Sequence, residues 1–279
     1  MCGFVSKHGE RDLELPNNRN KLLDAIASDL LSDGNVLSFF YGGSIGNENT
    51  NIFSDIDLRI VVKPHKINKY IANKQMRAKN WGNVLYFEDS DPSSIYTVAH
   101  YDCFVKVDIF YFTLDDIQPS PWLQNIKIIK DTNEVMRAIQ RQSMEMTYKP
   151  TIAEFEAWRT KFFAYLHEAY RKAMTKEYYY ALDCIDTLRL SMSTAWYMAS
   201  GIQPNTFGDW SKYEGDRSRL KDWQKSLLES WECGRETIEM MSVMRSIVLE
   251  FKKVHDTLCE LLEIENDSER VNEIVNMVI

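Results

Sequence analysis

Residues 42–57 read Gly-Gly-Ser-Ile-Gly-Asn-Glu-Asn-Thr-Asn-Ile-Phe-Ser-Asp-Ile-Asp, a glycine-rich turn set between the apolar runs Val36–Tyr41 and Leu58–Val62. The stretch demands a strand, a tight turn and a second strand, with Asp55 and Asp57 at the mouth of the second. Side chains two apart on an extended strand point the same way, so both carboxylates belong to one face. Like charges that close repel unless a cation lies between them. Mg²⁺ suits the position, because it takes oxygen ligands and is usually held by one or two carboxylates together with substrate phosphates. Gly42 and Gly43 permit backbone conformations closed to other residues and let a phosphate approach the main chain, where the Ser44 hydroxyl and nearby amides can donate to it. The turn reads as a phosphate cradle.

A third carboxylate is expected on a neighbouring strand, and Asp108 supplies it within the β-prone segment Phe104–Phe112. An acid in such a run is costly if buried without a partner, so a metal or an acceptor hydroxyl accounts for it. In a two-metal site one ion activates the attacking oxygen while the other stabilises the leaving oxygen. Taken singly, each piece has an ordinary reading. Gly-Gly-Ser is a common turn, Ser54-Asp55 resembles a cap or a strand-edge pair, and Asp108 could face water on an edge strand. Arg59 shares strand parity with Asp55 and Asp57, so it can pair with them rather than bind phosphate. The set as a whole points to metal-dependent chemistry on a phosphate ester.

The 279 residues, 44% hydrophobic and 27% charged, suffice for one large or two ordinary globular domains. No apolar run approaches a membrane span, and Glu10, Arg11, Asp12 and Glu14 leave no signal-peptide core, so the expectation is a cytoplasmic protein without a membrane partner. Cys2, Cys103, Cys184, Cys233 and Cys259 show no zinc or disulfide spacing and are expected to be reduced thiols, and His65 and His100 fit structural or surface roles. A net charge of −8 without a Lys/Arg cluster argues against nucleic acid and favours a small cationic partner.

Apolar spacing predicts a helix over Asn18–Leu31 that stops at Ser32-Asp-Gly34. Strands follow at Val36–Tyr41, Ile56–Val62, Val84–Phe87, Ile95–Val98, Phe104–Phe112 and Ile126–Ile129, with a helix after Pro64. Residues 1–145 thus form an α/β (α+β) domain with a mixed sheet. From Lys149-Pro150 the pattern becomes helical, opening with the capping box Thr151-Ile-Ala-Glu154. Helices are expected over Glu177–Ser200, Arg217–Trp231, Gly234–Glu263 and Ser268–Val278, making 150–279 an all-α helical bundle domain. Phe155, Trp158, Phe162, Phe163, Tyr165 and Tyr170 on its first helix read as core.

The Gly-Ser turn, the Asp-x-Asp pair and the distal Asp together resemble the nucleotidyltransferase superfamily that includes DNA polymerase β. Within it, the chain is most similar to the bacterial aminoglycoside 6-adenylyltransferases, the streptomycin-modifying enzymes. Their bundle carries an Ala-Ile-Asp-His-Leu-like segment and a Gly-x-x-x-Lys-Tyr-like turn, whose counterparts here are Ala181-Leu-Asp183-Cys-Ile and Gly208-Asp-Trp-Ser-Lys212-Tyr213. The resemblance implies a nucleotidyltransferase catalytic domain (1–145) followed by a helical acceptor-binding domain (150–279). It implies that Asp55, Asp57 and Asp108 hold Mg²⁺, that Gly43, Ser44, Asn47 and Lys212 contact ATP, and that Asp183 lies on the acceptor side. The reaction would move AMP from ATP to a hydroxyl of a small cationic acceptor, an aminoglycoside, with Asp183 or Asp108 as base and pyrophosphate released, making the chain an antibiotic-resistance enzyme. Where the family often has arginine after the motif serine, this chain has Ile45. Other readings share the motif: transfer to a protein or nucleic acid acceptor, or a nucleotide-binding regulator or antitoxin partner without turnover. The chain would act as a monomer or homodimer.

Overall fold

The computed structural model describes residues 6–89 and 91–279, and Cys2 lies outside them. The other four cysteines are free thiols. The chain divides into two compact units, Met1–Met146 and Thr147–Ile279.

In the N-terminal unit, helix α1 (Gly9–Ser32) starts well before the predicted Asn18 and runs through Pro16. A proline inside a helix removes a backbone hydrogen bond. The helix nevertheless continues because Leu15 extends the buried row of Leu22, Ile26 and Leu30 by two further turns. Strand β1 (Val36–Tyr41) leads into the short helix α2 (Gly43–Gly46) and then strand β2 (Ile56–Val62), both strands where the alternation predicts them. The helical segment after Pro64 is broken into a 3₁₀ turn and the short helices α3 (Ile67–Ala72) and α4 (Lys74–Ala78). Strands β3 (Val84–Phe87), β4 (Tyr96–Tyr101), β5 (Lys106–Phe112) and β6 (Lys127–Asp131) follow. Strand β5 begins at Lys106 rather than Phe104 because Phe104 has φ +63° in the turn that closes the β4–β5 hairpin.

The unit ends in helix α5 (Val135–Met144), which apolar periodicity did not single out. Its start is fixed by the Asp131 carboxylate, which accepts the Met136 and Arg137 amides at 3.0 and 2.9 Å.

The six strands form one mixed sheet in the order β3-β4-β5-β2-β1-β6, in which β2 and β5 run parallel and the other pairs antiparallel. One face carries Phe39, Tyr41, Ile56, Leu58, Ile60, Val107, Ile109 and Tyr111 into a core shared with α1. The other packs Phe40 and Val61 with Met136 of α5 in a smaller cluster. Alternation leaves Asp57, Arg59, Lys106, Asp108 and Phe110 on this second face, beyond that cluster.

The C-terminal unit is helical, with α6 (Ile152–Met174), α7 (Tyr178–Ala199), α8 (Asp222–Ser230), α9 (Thr237–Leu262) and α10 (Ser268–Val275). The capping box forms as predicted: Thr151 Oγ1 accepts the Glu154 amide at 3.2 Å and the Glu154 carboxylate accepts the Thr151 amide at 2.8 Å. Phe155, Trp158 and Phe162 are core, while Phe163, Tyr165 and Tyr170 pack at its margin. Phe162 stacks on Phe251 of α9 with ring centroids 3.9 Å apart. Helix α8 starts five residues later than its predicted Arg217, because the preceding segment is tied into turns. Ser218 Oγ donates to the Tyr213 carbonyl at 2.8 Å, and the Tyr197 hydroxyl accepts the Arg219 amide at 3.1 Å. Among the described residues no helix is long and apolar enough to cross a membrane.

Candidate active site

Strand register brings two of the three acids together. Asp57 on β2 lies directly opposite Asp108 on β5 across the parallel pair, and parallel neighbours sit about 4.8 Å apart. Asp55 precedes β2 by one residue. All three carboxylates are partly exposed, at 38% for Asp55, 23% for Asp57 and 21% for Asp108.

The glycines set the approach. Gly43 has φ +53°, and a Cβ there would overlap the Asp57 carboxylate, with the Asp57 Cγ only 2.7 Å away. The Gly42 amide donates to the Asp57 carbonyl at 2.9 Å, stitching the turn to β2. A Cβ on Gly46 would overlap the Asn125 carbonyl and come within 2.9 Å of the Tyr41 carbonyl, so this glycine lets α2 pack on backbone.

The other turn residues are placed less directly. Ser44 is 3% exposed, and its Oγ is buried with no hydrogen-bond partner. The Asn47 amide closes back on the Gly43 carbonyl at 2.6 Å, bracing the turn. Ile45, directly after Ser44, is buried in the sheet core.

Two basic residues stand among the acids. Lys106 Nζ lies 3.1 Å from Asp55 Oδ2 and 3.1 Å from Asp108 Oδ2. Arg59 reaches Asp57 at 3.8 Å and lies over the Phe110 ring at 4.0 Å, the structural pairing its strand parity suggests. Burial, then the Asp55 and Asp108 charges, raise the Asp57 pKa against the opposing pull of Arg59 and Lys106. Burial likewise raises the Asp108 pKa, with Lys106 opposing. Burial works against the Lys106 ammonium, but Asp108 and Asp55 outweigh it and hold its pKa above the ordinary lysine value.

A residue that the motif did not reveal positions Asp55. Arg19 of α1, buried, donates to the carbonyls of Asn51 and Ser54 at 3.0 Å each, clamping the loop that delivers Asp55. The loop also closes on itself, with Ser54 Oγ accepting the Asn51 amide at 2.8 Å. Replacing Arg19 by Met should cost about 2 kcal/mol, because the buried Ser54 carbonyl and the partly covered Asn51 carbonyl lose a charged donor. Urea denaturation measures this, and an unchanged midpoint would remove Arg19 from the account. In sequence, Arg19 is simply a polar position on an amphipathic helix.

The donor set suits a hard divalent cation. Carboxylate oxygens are the ligands such ions take, and Asp108 Oδ1 is buried without a partner even though Oδ2 meets Lys106. Among the described residues, however, no group of three or more acidic, histidine or cysteine side chains has closed to metal-binding spacing.

Asp183 and Lys212 belong to the C-terminal unit. Asp183 is exposed on α7, beside a groove of about 360 Å³ lined also by Asp186, Arg189, Glu232 and Cys233. Asp186 pairs with Arg189 at 3.0 Å, which leaves Asp183 outside the pair. Lys212 is exposed with φ +66°. The turn is anchored by its neighbour Tyr213, which is fully buried against Tyr197 at 4.8 Å, while the Tyr197 hydroxyl donates to the Lys212 carbonyl at 3.0 Å. His100 pairs with Glu88 at 2.6 Å and stacks on Tyr86, a structural role.

No protein-family model matches the chain, and no curated protein matches it. Solved structures do. An aminoglycoside 6-adenyltransferase from Bacillus subtilis is similar at 13% identity and a TM-score of 0.45, over 93% of this chain and 97% of that one. A nucleotidyltransferase-like protein from Exiguobacterium sibiricum 255-15 is similar at 13% identity and a TM-score of 0.45, over 92% of this chain and 87% of that one.

Proposed function

We propose that the chain is a metal-dependent nucleotidyltransferase that moves AMP from ATP to a hydroxyl of a small cationic acceptor, an aminoglycoside, and releases pyrophosphate. The observation that carries the reading is the pairing of Asp57 with Asp108 across β2 and β5, beside a Gly43 turn that no larger residue could bring so close to the Asp57 carboxylate. Asp55, Asp57 and Asp108 would hold Mg²⁺, which neutralises charge on the triphosphate oxygens. The Gly43 backbone leaves room for phosphate at the Asp57 carboxylate. Ser44 holds a hydroxyl with no internal partner, and Lys212 offers an exposed point charge.

The acceptor oxygen attacks the α-phosphorus in line, its proton passes to Asp183 or Asp108, and the bond to pyrophosphate breaks. Catalysis of this kind rests on positioning and charge neutralisation. In this reading residues 1–145 are the catalytic domain and 150–279 the acceptor-binding domain. The acidic balance of −8 favours a cationic acceptor. The enzyme would work in the cytoplasm.

Pyrophosphate release, measured with ATP, Mg²⁺ and a panel of aminoglycosides, tests the assignment. Release that requires both nucleotide and an aminoglycoside is expected. Radiolabel from ATP appearing on a protein or nucleic acid in lysate, with no aminoglycoside product, would replace the acceptor class. Tight ATP binding with only background release would point instead to a regulator.

A further inference from the structure

Lys106 and Arg59 stand among the acids on this face of the sheet, and among the described residues Lys106 is the one that bridges two of the three carboxylates. Strand parity places it beside Asp108 on β5, and the parallel pairing brings Asp55 within reach on the other side. Its side chain is 35% exposed, so the ammonium could sit in water at little cost. Holding it between two acids fixes a flexible stem worth about 2 kcal/mol of rotamer entropy. The attraction of the acids outweighs that cost. Even so, two cations face three carboxylates, and Asp108 Oδ1 has no partner. The cluster is under-neutralised.

We propose that Lys106 is a tethered counter-ion that occupies the position a divalent cation takes between Asp55 and Asp108, and that it has to leave for the metal to bind. The inference rests on the reading of these acids as metal ligands. A divalent ion approaches carboxylate oxygens to about 2 Å, whereas the ammonium stands at 3.1 Å from each. The ammonium and the ion would compete for the space between the two Oδ2 atoms. Two charges of the same sign at that separation also repel strongly in so confined a space. The four-carbon stem gives the ammonium somewhere to go, because a third of the side chain already faces solvent. Lys106 is therefore a positioning residue that sets how readily the site takes metal, and the acids remain the ligands.

Mn²⁺ binding to the full chain without nucleotide, followed by electron paramagnetic resonance, tests this directly. Lys106→Gln should bind Mn²⁺ about tenfold tighter than wild type, since competition and repulsion both disappear. Lys106→Arg, which keeps the charge, should stay close to wild type. If Mn²⁺ affinity in Lys106→Gln is equal to or weaker than that of wild type, including the case where neither binds, the counter-ion role is overturned and Lys106 simply holds the acids in place. Pyrophosphate release by wild type is scored separately. Transfer without the Mn²⁺ gain removes only the Lys106 assignment, whereas the gain without transfer removes only the proposed reaction.

Discussion

Asp57→Asn should reduce nucleotidyl transfer by about a thousandfold or more while leaving the protein folded and slightly more stable at neutral pH. The activity loss follows from removing a ligand charge at the point where a metal would stabilise the transferring phosphate, an effect typically worth several kcal/mol. The gain in stability follows from the same geometry. Burial and the neighbouring Asp55 and Asp108 charges penalise ionised Asp57 in the folded chain, so its pKa is raised above the usual 3.8. A carboxyl with a raised folded pKa favours the folded state while protonated. That contribution fades as pH rises through the folded value. Asparagine removes the penalty. The difference in stability between variant and wild type should therefore be small near pH 4 and grow toward neutrality, reaching about 1 kcal/mol or about 2–4 °C in Tm. Thermal unfolding across pH, without divalent ions, measures it. A variant that is less stable than wild type at every pH would show that Asp57 is a structural partner of Arg59 and not part of a strained site.

Gly43→Ala is expected to have the next largest effect, and a different signature. The left-handed φ of +53° costs a residue with a Cβ about 1–2 kcal/mol. Beyond that, the new methyl would overlap the Asp57 carboxylate, which is the mobile end of a side chain and can swing aside. Stability should thus fall by only the backbone amount. Function should suffer more, because displacing a reacting group by about 1 Å is enough to cost about a hundredfold in rate. The expected result is a folded protein with a Tm a few degrees lower and transfer reduced about a hundredfold. Steady-state kinetics at saturating nucleotide would show the loss in kcat. If Gly43→Ala retains near wild-type turnover, the close approach of the turn to Asp57 has no catalytic role.

These two variants show why part of the site could be read directly from residues 42–57. Glycine at 43, paired acids two apart and β-prone flanks are local features, and their consequences follow from backbone geometry over a few residues. The helix caps are local too, which is why Thr151 and Glu154 formed their predicted box. Elements drifted where packing decided the boundary: the burial of Leu15 carried α1 through Pro16, and Tyr213 and Tyr197 held back the start of α8. Packing encloses Ser44 and turns the Asn47 side chain onto the Gly43 carbonyl, which residues 42–57 alone do not display.

By itself, the sequence determined the order of the strands and of the C-terminal helices, the face on which Asp55 and Asp57 lie, and the need for a glycine beside them. Those are properties of periodicity and of the conformations each residue type allows. Only the tertiary structure decided that Asp108 stands in register with Asp57, that Arg19 clamps the loop before Asp55, and that Lys106 lies between two of the acids. Each joins segments tens of residues apart. Strand order and register come from the burial of Ile56, Leu58, Ile60, Val107, Ile109 and Tyr111 in one core, and the charged residues of the opposite face are carried into place by that packing.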